Sequence, residues 1–206
     1  MAPLTKLTEL LTTLPGIGPR HAKRLAYYIS SRKKGFFTDF ENALREIEEQ
    51  RKVCLDCRSI FYTANKENKK CPLCLSKNRD DQQLIITDTE ININSIEKSG
   101  VTNGRYFILG KTLSLADEDT NNLPIAELIN YINRLSEKGL KEIVLVFNYN
   151  PEGEHTENLI KRRIEDICQE NKIKISLPGR GFSTGTELEY SDIDTLKHAF
   201  KNRLSK

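Results

Sequence analysis

Cys54-Leu55-Asp56-Cys57 and Cys71-Pro72-Leu73-Cys74 place two C-x2-C pairs thirteen residues apart in a chain of 206 residues. Each pair can turn two sulfurs toward one point, and the loop between them lets the second pair complete a tetrahedron around a single ion. Pro72 suits a tight knuckle, and no histidine lies close enough in sequence to compete as a ligand. Four thiolates leave no open position for water or substrate. The spacing therefore predicts one structural Zn2+ per chain, held by Cys54, Cys57, Cys71 and Cys74. A redox C-x2-C or an iron–sulfur centre is the alternative for such pairs, and two pairs at ribbon spacing favour zinc over both. The fifth cysteine, Cys168, sits in an apolar-periodic helix and reads as a small buried hydrophobe.

Upstream of the cysteines, Leu4, Leu7, Leu10, Leu11 and Leu14 recur at helical spacing. Pro15-Gly16-Ile17-Gly18-Pro19 interrupts them, and helix resumes through Ala22, Leu25, Ala26 and Ile29. The stretch Leu14 to Ala22 fits a helix-hairpin-helix: Gly16 and Gly18 permit a sharp turn, and bare backbone N–H groups at a helix N-terminus can grip a phosphate. Arg20, Lys23 and Arg24 follow on the first turns of the second helix, where they can meet neighbouring phosphates without reading bases. Residues 1–35 hold seven Lys/Arg against Glu9 alone, a net +6 within a chain of net charge +3. Such a segment predicts an anionic partner and sequence-nonspecific, salt-sensitive binding. An ordinary helical hairpin with a solvated basic face is the bland alternative. His21, between the cations, reads as a surface or packing residue. A further helix fits Phe40, Ala43, Leu44 and Ile47, so residues 1–52 form a small all-α module.

Downstream the texture changes. Leu84-Ile85-Ile86, Tyr106-Phe107-Ile108-Leu109 and Ile143-Val144-Leu145-Val146-Phe147 are short apolar runs, with helical patterns near 89–99, 124–138 and 154–170. Strands alternating with helices imply a mostly parallel α/β sheet, to which Ile173 and Ile175 add one more strand. A Gly-rich loop, Pro178 to Gly185, leads into a polar helical tail from about Ser191. At 37% apolar content the chain suits several modules better than one large core. The N-terminus has no charged-then-apolar leader, and no run approaches the roughly 18 apolar residues that cross a bilayer. The expected location is the cytoplasm.

Taken in order, LPGIGPRHAKRLA, the paired cysteines, an apolar strand ending in Ile86-Thr87-Asp88, then GRYFIL, NPEGE and GTELEY, the chain resembles the RecR family of recombination mediators. The resemblance implies a multi-domain α/β protein: a helix-hairpin-helix module over 1–52, a four-cysteine zinc finger over 53–78, a Toprim-like domain with a parallel sheet over 79–176, and a C-terminal extension over 177–206. It also implies a non-enzymatic factor that assembles as a ring-like tetramer, clamps DNA, and acts with RecO, and in many bacteria RecF, to load recombinase on single-stranded gaps. The zinc segment then lies between the DNA-gripping module and the Toprim-like domain, and is read as a joint fixing one to the other.

The family pattern is not followed throughout. Its first Toprim strand usually ends in a glutamate with an aspartate four residues on, where this chain has Asp88 and Asn92. The usual Pro-Val-Gly-Gly stretch near the C-terminus is Ser183-Thr184-Gly185-Thr186, the cysteine loop is longer, and the linker at 111–123 is shorter. Catalytic Toprim domains also need a D-x-D to hold Mg2+, because hard cations demand charged oxygens, and the corresponding strand end reads Asn148-Tyr149-Asn150. Glu152 and Glu154 could, with Asp88, make a weak Mg2+ or partner-binding patch; alternatively the two glutamates simply start a helix at its positive dipole end. Two rival functions remain readable: a Toprim-type, Mg2+-dependent nuclease or topoisomerase-like enzyme using those acids, and a protein-interaction adaptor that binds no DNA.

Overall fold

A computed structural model describes residues 2–179, 189 and 193–201, divided between Arg51 and Lys52 into two compact units. The variant stretch Ser183-Thr184-Gly185-Thr186 and most of the Gly-rich loop lie outside the described residues.

The first unit is all-helical: α1 (Pro3–Thr12), α2 (Pro19–Ser30) and α3 (Lys34–Gln50). Proline opens both α1 and α2 at a position where its missing N–H costs nothing. Between them Gly16 adopts φ +78°, the left-handed region that side chains resist. Ala22 and Ala26, one turn apart on α2, are wholly buried, and their small side chains allow the two helices to approach closely. α3 starts six residues before Phe40, taking in Phe36 and Phe37, and buries none of its residues.

In the second unit the cysteine segment contributes β1 (Arg51–Val53), β2 (Ile60–Tyr62) and the single turn α4 (Pro72–Leu75). There follow β3 (Asp80–Thr87), α5 (Glu90–Ser99), β4 (Gly104–Ile108), α6 (Ile125–Ser136), β5 (Glu142–Val146), α7 (Pro151–Glu170), β6 (Lys174–Ser176) and α8 (Ile193–Lys201). The four longer-range strands form one parallel sheet in the order β4-β3-β5-β6, with Ile86 level with Phe107 on one side and Leu145 on the other. β3 begins four residues before its apolar run, and its register with β4 shifts between Asp80 and Leu84.

Period-two alternation sorts the strand side chains into two layers. Leu84, Ile86, Phe107, Ile143 and Leu145 face α6 and α7, packing on Leu128, Ile132, Leu135, Ile160 and Ile164. Cys168 lies in this layer as expected, and burial pushes its thiol up to about 11. Ile85, Tyr106 and Ile108 face the other way, onto Ile93 of α5 and onto Cys54, Cys57, Phe61 and Cys71. The cysteine segment thus shares one buried cluster with the sheet, and it is to this sheet that the metal knuckles are fixed. Because the chain runs from β3 to one neighbour and then back to the other, the C-terminal end of β3 is a topological switch point, where open α/β sheets hold ligands. Among the described residues no helix is long and apolar enough to cross a membrane.

Candidate functional site

The four cysteine sulfurs lie within 4.8 Å of one another, with Cys57 Sγ and Cys71 Sγ 3.5 Å apart. A tetrahedral ion with metal–sulfur bonds of about 2.3 Å needs sulfurs about 3.8 Å apart, so the site fits a divalent thiophilic cation. Local backbone makes this arrangement. Arg58 N–H donates to Cys54 O (3.0 Å) and Cys54 N–H to Ser59 O (2.9 Å), a knuckle closed by Arg58 at φ +63°. Cys71 caps α4, and its own N–H donates to Cys54 Sγ (3.3 Å), which links the two knuckles. Hydrogen bonds with Cys57, Cys71 and Cys74 hold Cys54 below the ordinary thiol range, and those with Cys54, Cys71 and Cys74 push Cys57 above it. Four thiolates gathered at this spacing need a cation to offset their charge.

Polar ties fasten this centre to the sheet. Ile108 N–H, on the outer edge of β4, donates to Cys57 O (2.8 Å), so the finger covers an edge strand that would otherwise offer open hydrogen-bonding groups. Arg105 donates to Asp81 (2.6 Å) and to Cys74 O (3.2 Å), and Ile60 N–H donates to Glu90 (3.0 Å). Asp56, buried inside the first knuckle, pairs with Lys70 (2.7 Å) and with Arg134 of α6 (2.9 Å). None of these partners was predicted from the sequence. Asp56 alone left a trace there, as the acid between two metal-ligating cysteines.

Behind the second knuckle Arg79 forms a two-pronged pair with Glu97, which also accepts from Tyr106 Oη (2.5 Å). The guanidinium, then the Tyr106 hydroxyl, hold the Glu97 carboxyl below its ordinary 4.5 against the opposing effect of burial. A carboxyl depressed on folding contributes stability that is present above its unfolded pKa and lost as pH falls through the folded value. The melting temperature is therefore expected to drop as the pH is lowered from 4.5, and Glu97→Gln to flatten part of that fall while lowering stability at neutral pH. Glu142, depressed by Gln83 and Ser176, supplies a further part of the acid dependence. Thermal melts of both proteins between neutral pH and pH 3 check this; superimposable acid limbs would contradict it.

In the helical unit, Arg20, Lys23 and Arg24 are all exposed on α2, while Ala22 and Ala26 of the same helix are buried. None of the three side chains has an ion pair or hydrogen bond among the described residues. Gly18 caps α2 without a side chain, and the first helical bond is Ala22 N–H to Gly18 O (2.9 Å), which leaves the amides of Arg20 and His21 free at the positive end of the helix. His21 and Arg24, with Gly16, Ile17, Leu25 and Tyr28, line an open groove beside this turn.

At the switch point, Asp88 is 1% exposed, and each of its carboxylate oxygens already accepts a hydrogen bond. Asn92 donates to Oδ1 (2.7 Å), Thr112 to Oδ2 (2.8 Å), and Gly110 N–H to the main-chain oxygen (3.0 Å). Asn150 accepts from Gly153 N–H (2.8 Å) as the cap of α7, which is why that helix starts at Pro151, ahead of the 154 expected. Glu152 and Glu154 stand in its first turn, the helix-starting position. Among the described residues the only gathered set of three or more metal-ligating side chains is the four cysteines; Asp88, Glu152 and Glu154 are not brought together as one. Thr156, also unforeseen, is wholly buried and accepts Leu113 N–H (2.8 Å), which ties down the loop before α6. Its place on the Thr156, Ile160, Ile164, Cys168 stripe was the available signal.

Comparison with known proteins gives a consistent answer. Residues 4–47 match the family model described as RecR, helix-hairpin-helix, residues 82–177 a Toprim domain, and residues 183–204 RecR, C-terminal. The Recombination protein RecR of Staphylococcus saprophyticus is 31% identical over 98% of this chain and 96% of its own length. Those of Rubrobacter xylanophilus, 31% identical over 96% of the chain and 94% of the relative, and Chloroflexus aurantiacus, 30% over 98% and 94%, are similar. With likeness of that extent running from the hairpin turn through the sheet, the chain belongs to the RecR family of recombination proteins.

Proposed function

We propose that the chain is a DNA-binding recombination mediator, without catalytic activity of its own, that acts with RecO, and with RecF where that partner is present, to help load recombinase at gapped or single-stranded DNA. The observation that carries this reading is the face of α2, where three unpaired cations flank free helix N-terminal amides beside the Gly16–Gly18 turn. Phosphate contacts of this kind position a protein on DNA without reading sequence. One zinc per chain, held by Cys54, Cys57, Cys71 and Cys74, would fix the finger, with its four ligand positions filled by sulfur. The switch point argues against phosphoryl chemistry: Asp88 spends its carboxylate on Asn92 and Thr112, and amides occupy 148 and 150. Glu152 and Glu154, exposed at the start of α7, suit a partner contact better than a metal.

Self-association has its own support. α3 leaves Phe36, Phe37, Phe40, Leu44 and Ile47 all more than one-third exposed along one helix, an apolar stripe that water disfavours and a ring assembly would cover. The working division is a DNA-binding module over 1–52, a finger over 53–78, a Toprim scaffold over 79–176 and an extension over 177–206, in a cytoplasmic protein.

Reversing Arg20, Lys23 and Arg24 to Glu tests the reading. Binding to gapped duplex should weaken throughout the salt range, and the slope of log affinity against log salt should fall by about 2 to 3, roughly 0.7–0.9 per lost phosphate contact. Undiminished binding by a folded triple variant would overturn it.

A further inference from the structure

The finger and the residues flanking it are strongly basic. Residues 51–79 hold eight Lys/Arg against Asp56 and Glu67, a formal +6 that four thiolates on a divalent ion would lower by two. Four of the eight are spent internally: Lys52 on main-chain oxygens, Arg58 on Glu127, Lys70 on Asp56 and Arg79 on Glu97. Arg51, Lys66, Lys69 and Lys77 are exposed and have no partner among the described residues.

Lys66 and Lys69 stand on a loop built to hold one shape. Lys52 Nζ donates to the carbonyls of Asn65 (2.7 Å), Lys66 (2.6 Å) and Asn68 (3.1 Å), drawing three oxygens around one ammonium. Leu55 N–H donates to Lys69 O (3.0 Å), and the side chains of Asn65 and Asn68 accept from Glu67 N–H and Lys70 N–H. Carbonyls turned inward onto Lys52 leave the loop's ammonium groups outward, and little ordering is left to be done on binding.

The loop leaves β2 directly after Tyr62. That side chain is 57% exposed, and its hydroxyl has no partner among the described residues. It forms one wall of a groove of 330 Å³ whose other walls include Ile60, Leu73, Ile93, the exposed Asn94 and the half-buried Glu90, whose carboxylate already accepts Ile60 N–H. An aromatic face, a slot with apolar walls and a polar rim, and unpaired cations on the loop that follows Tyr62 in the chain are what an unstacked base and its phosphates require.

We infer that the finger is a second nucleic-acid contact, specific for single strands: Tyr62 stacks a base in the groove, and Lys66 and Lys69 hold the flanking phosphates. The inference rests on the DNA-binding reading of the chain but uses none of the residues of α2. A base within a duplex is already stacked on both faces, so Tyr62 contributes only to single-strand binding.

Fluorescence anisotropy of labelled oligo-dT and of blunt duplex, with the full chain, tests it. Tyr62→Ala should weaken oligo-dT binding roughly tenfold, as loss of one base–aromatic stack does, and leave duplex binding unchanged. Tyr62→Phe should match the unaltered chain. Lys66→Gln with Lys69→Gln should lower the single-strand salt slope by about 1.4. One metal per chain in each variant certifies the finger's fold. Unchanged oligo-dT affinity in the Tyr62→Ala protein, or equal weakening on single strand and duplex, overturns the inference. So does an effect of the lysine substitutions confined to poly-glutamate, which would assign the patch to an acidic protein segment. With the Arg20, Lys23 and Arg24 reversal measured in parallel, the outcomes separate. If that reversal is neutral, the reading of α2 fails and the finger stands on its own result. If the finger variants are neutral and the reversal abolishes binding, the finger inference alone fails. An intact chain that binds no oligonucleotide at low salt sinks both.

Discussion

Cys71→Ser is expected to lose the bound metal and to lower the melting temperature by at least about 10 °C, the shift that some 4 kcal/mol produces in a unit of this size. Cys71 offers a sulfur to the ion and sets it 3.5 Å from Cys57 Sγ of the first knuckle, so one exchange touches both knuckles. Structural zinc contributes about 10–16 kcal/mol to isolated finger peptides, comparable with the whole stability of a domain. Here part of that is retained by contacts independent of the metal, among them Phe61 in the shared cluster and the Ile108–Cys57 bond. The damage spreads nonetheless, because the cysteines pack on Ile85, Tyr106 and Ile108 and cover the edge of β4. Metal analysis alongside calorimetry checks this, with Cys168→Ala as the control that should keep its metal, since Cys168 lies in the other core layer. A Cys71→Ser protein that melts normally with one metal per chain would show that the knuckles do not depend on that ligand.

Gly153→Ala should be the second most damaging change, at about 3–4 kcal/mol, combining an overpacking cost with loss of a helix cap. A Cβ on Gly153 would stand 2.0 Å from Asn148 O and 2.9 Å from Asn150 Oδ1. Both neighbours belong to the turn from β5 into α7: Asn148 O accepts Asn150 N–H, and Asn150 Oδ1 accepts Gly153 N–H. Neither is the free end of a flexible side chain, so the turn must open. α7 also anchors the loop before α6 through Thr156, so the strain reaches the switch point. Urea unfolding measures the cost, and a midpoint within error of the unaltered chain would contradict it.

Residues close in sequence made much of this readable beforehand. The two C-x2-C pairs specify a metal site because each pair is a local turn, and the structure gathers their sulfurs as expected. Pro15 to Pro19 specify the break between α1 and α2 for the same reason: glycine and proline act through their own backbone angles. The apolar runs at 84–86, 106–109 and 143–147 marked the parallel strands, since strands buried on both faces are apolar throughout. Element ends were less legible. β3 extends back through Asp80–Gln83 by pairing with its neighbours, which composition does not reveal.

What the sequence by itself determined, then, is the four-sulfur centre, the hairpin turn with its cations, and the alternating α/β plan, each encoded by near neighbours or by periodicity. Only the tertiary structure decided that the finger is fixed to the sheet, sharing a core with Ile85, Tyr106 and Ile108. It also decided that Asp88 is buried with both carboxylate oxygens engaged, because Thr112 arrives from 24 residues away. The finger's cations likewise divide into spent and unspent only once Glu127 and Glu97 are brought beside it. Pairings across such separations depend on how the chain crosses the sheet, and no local pattern records them.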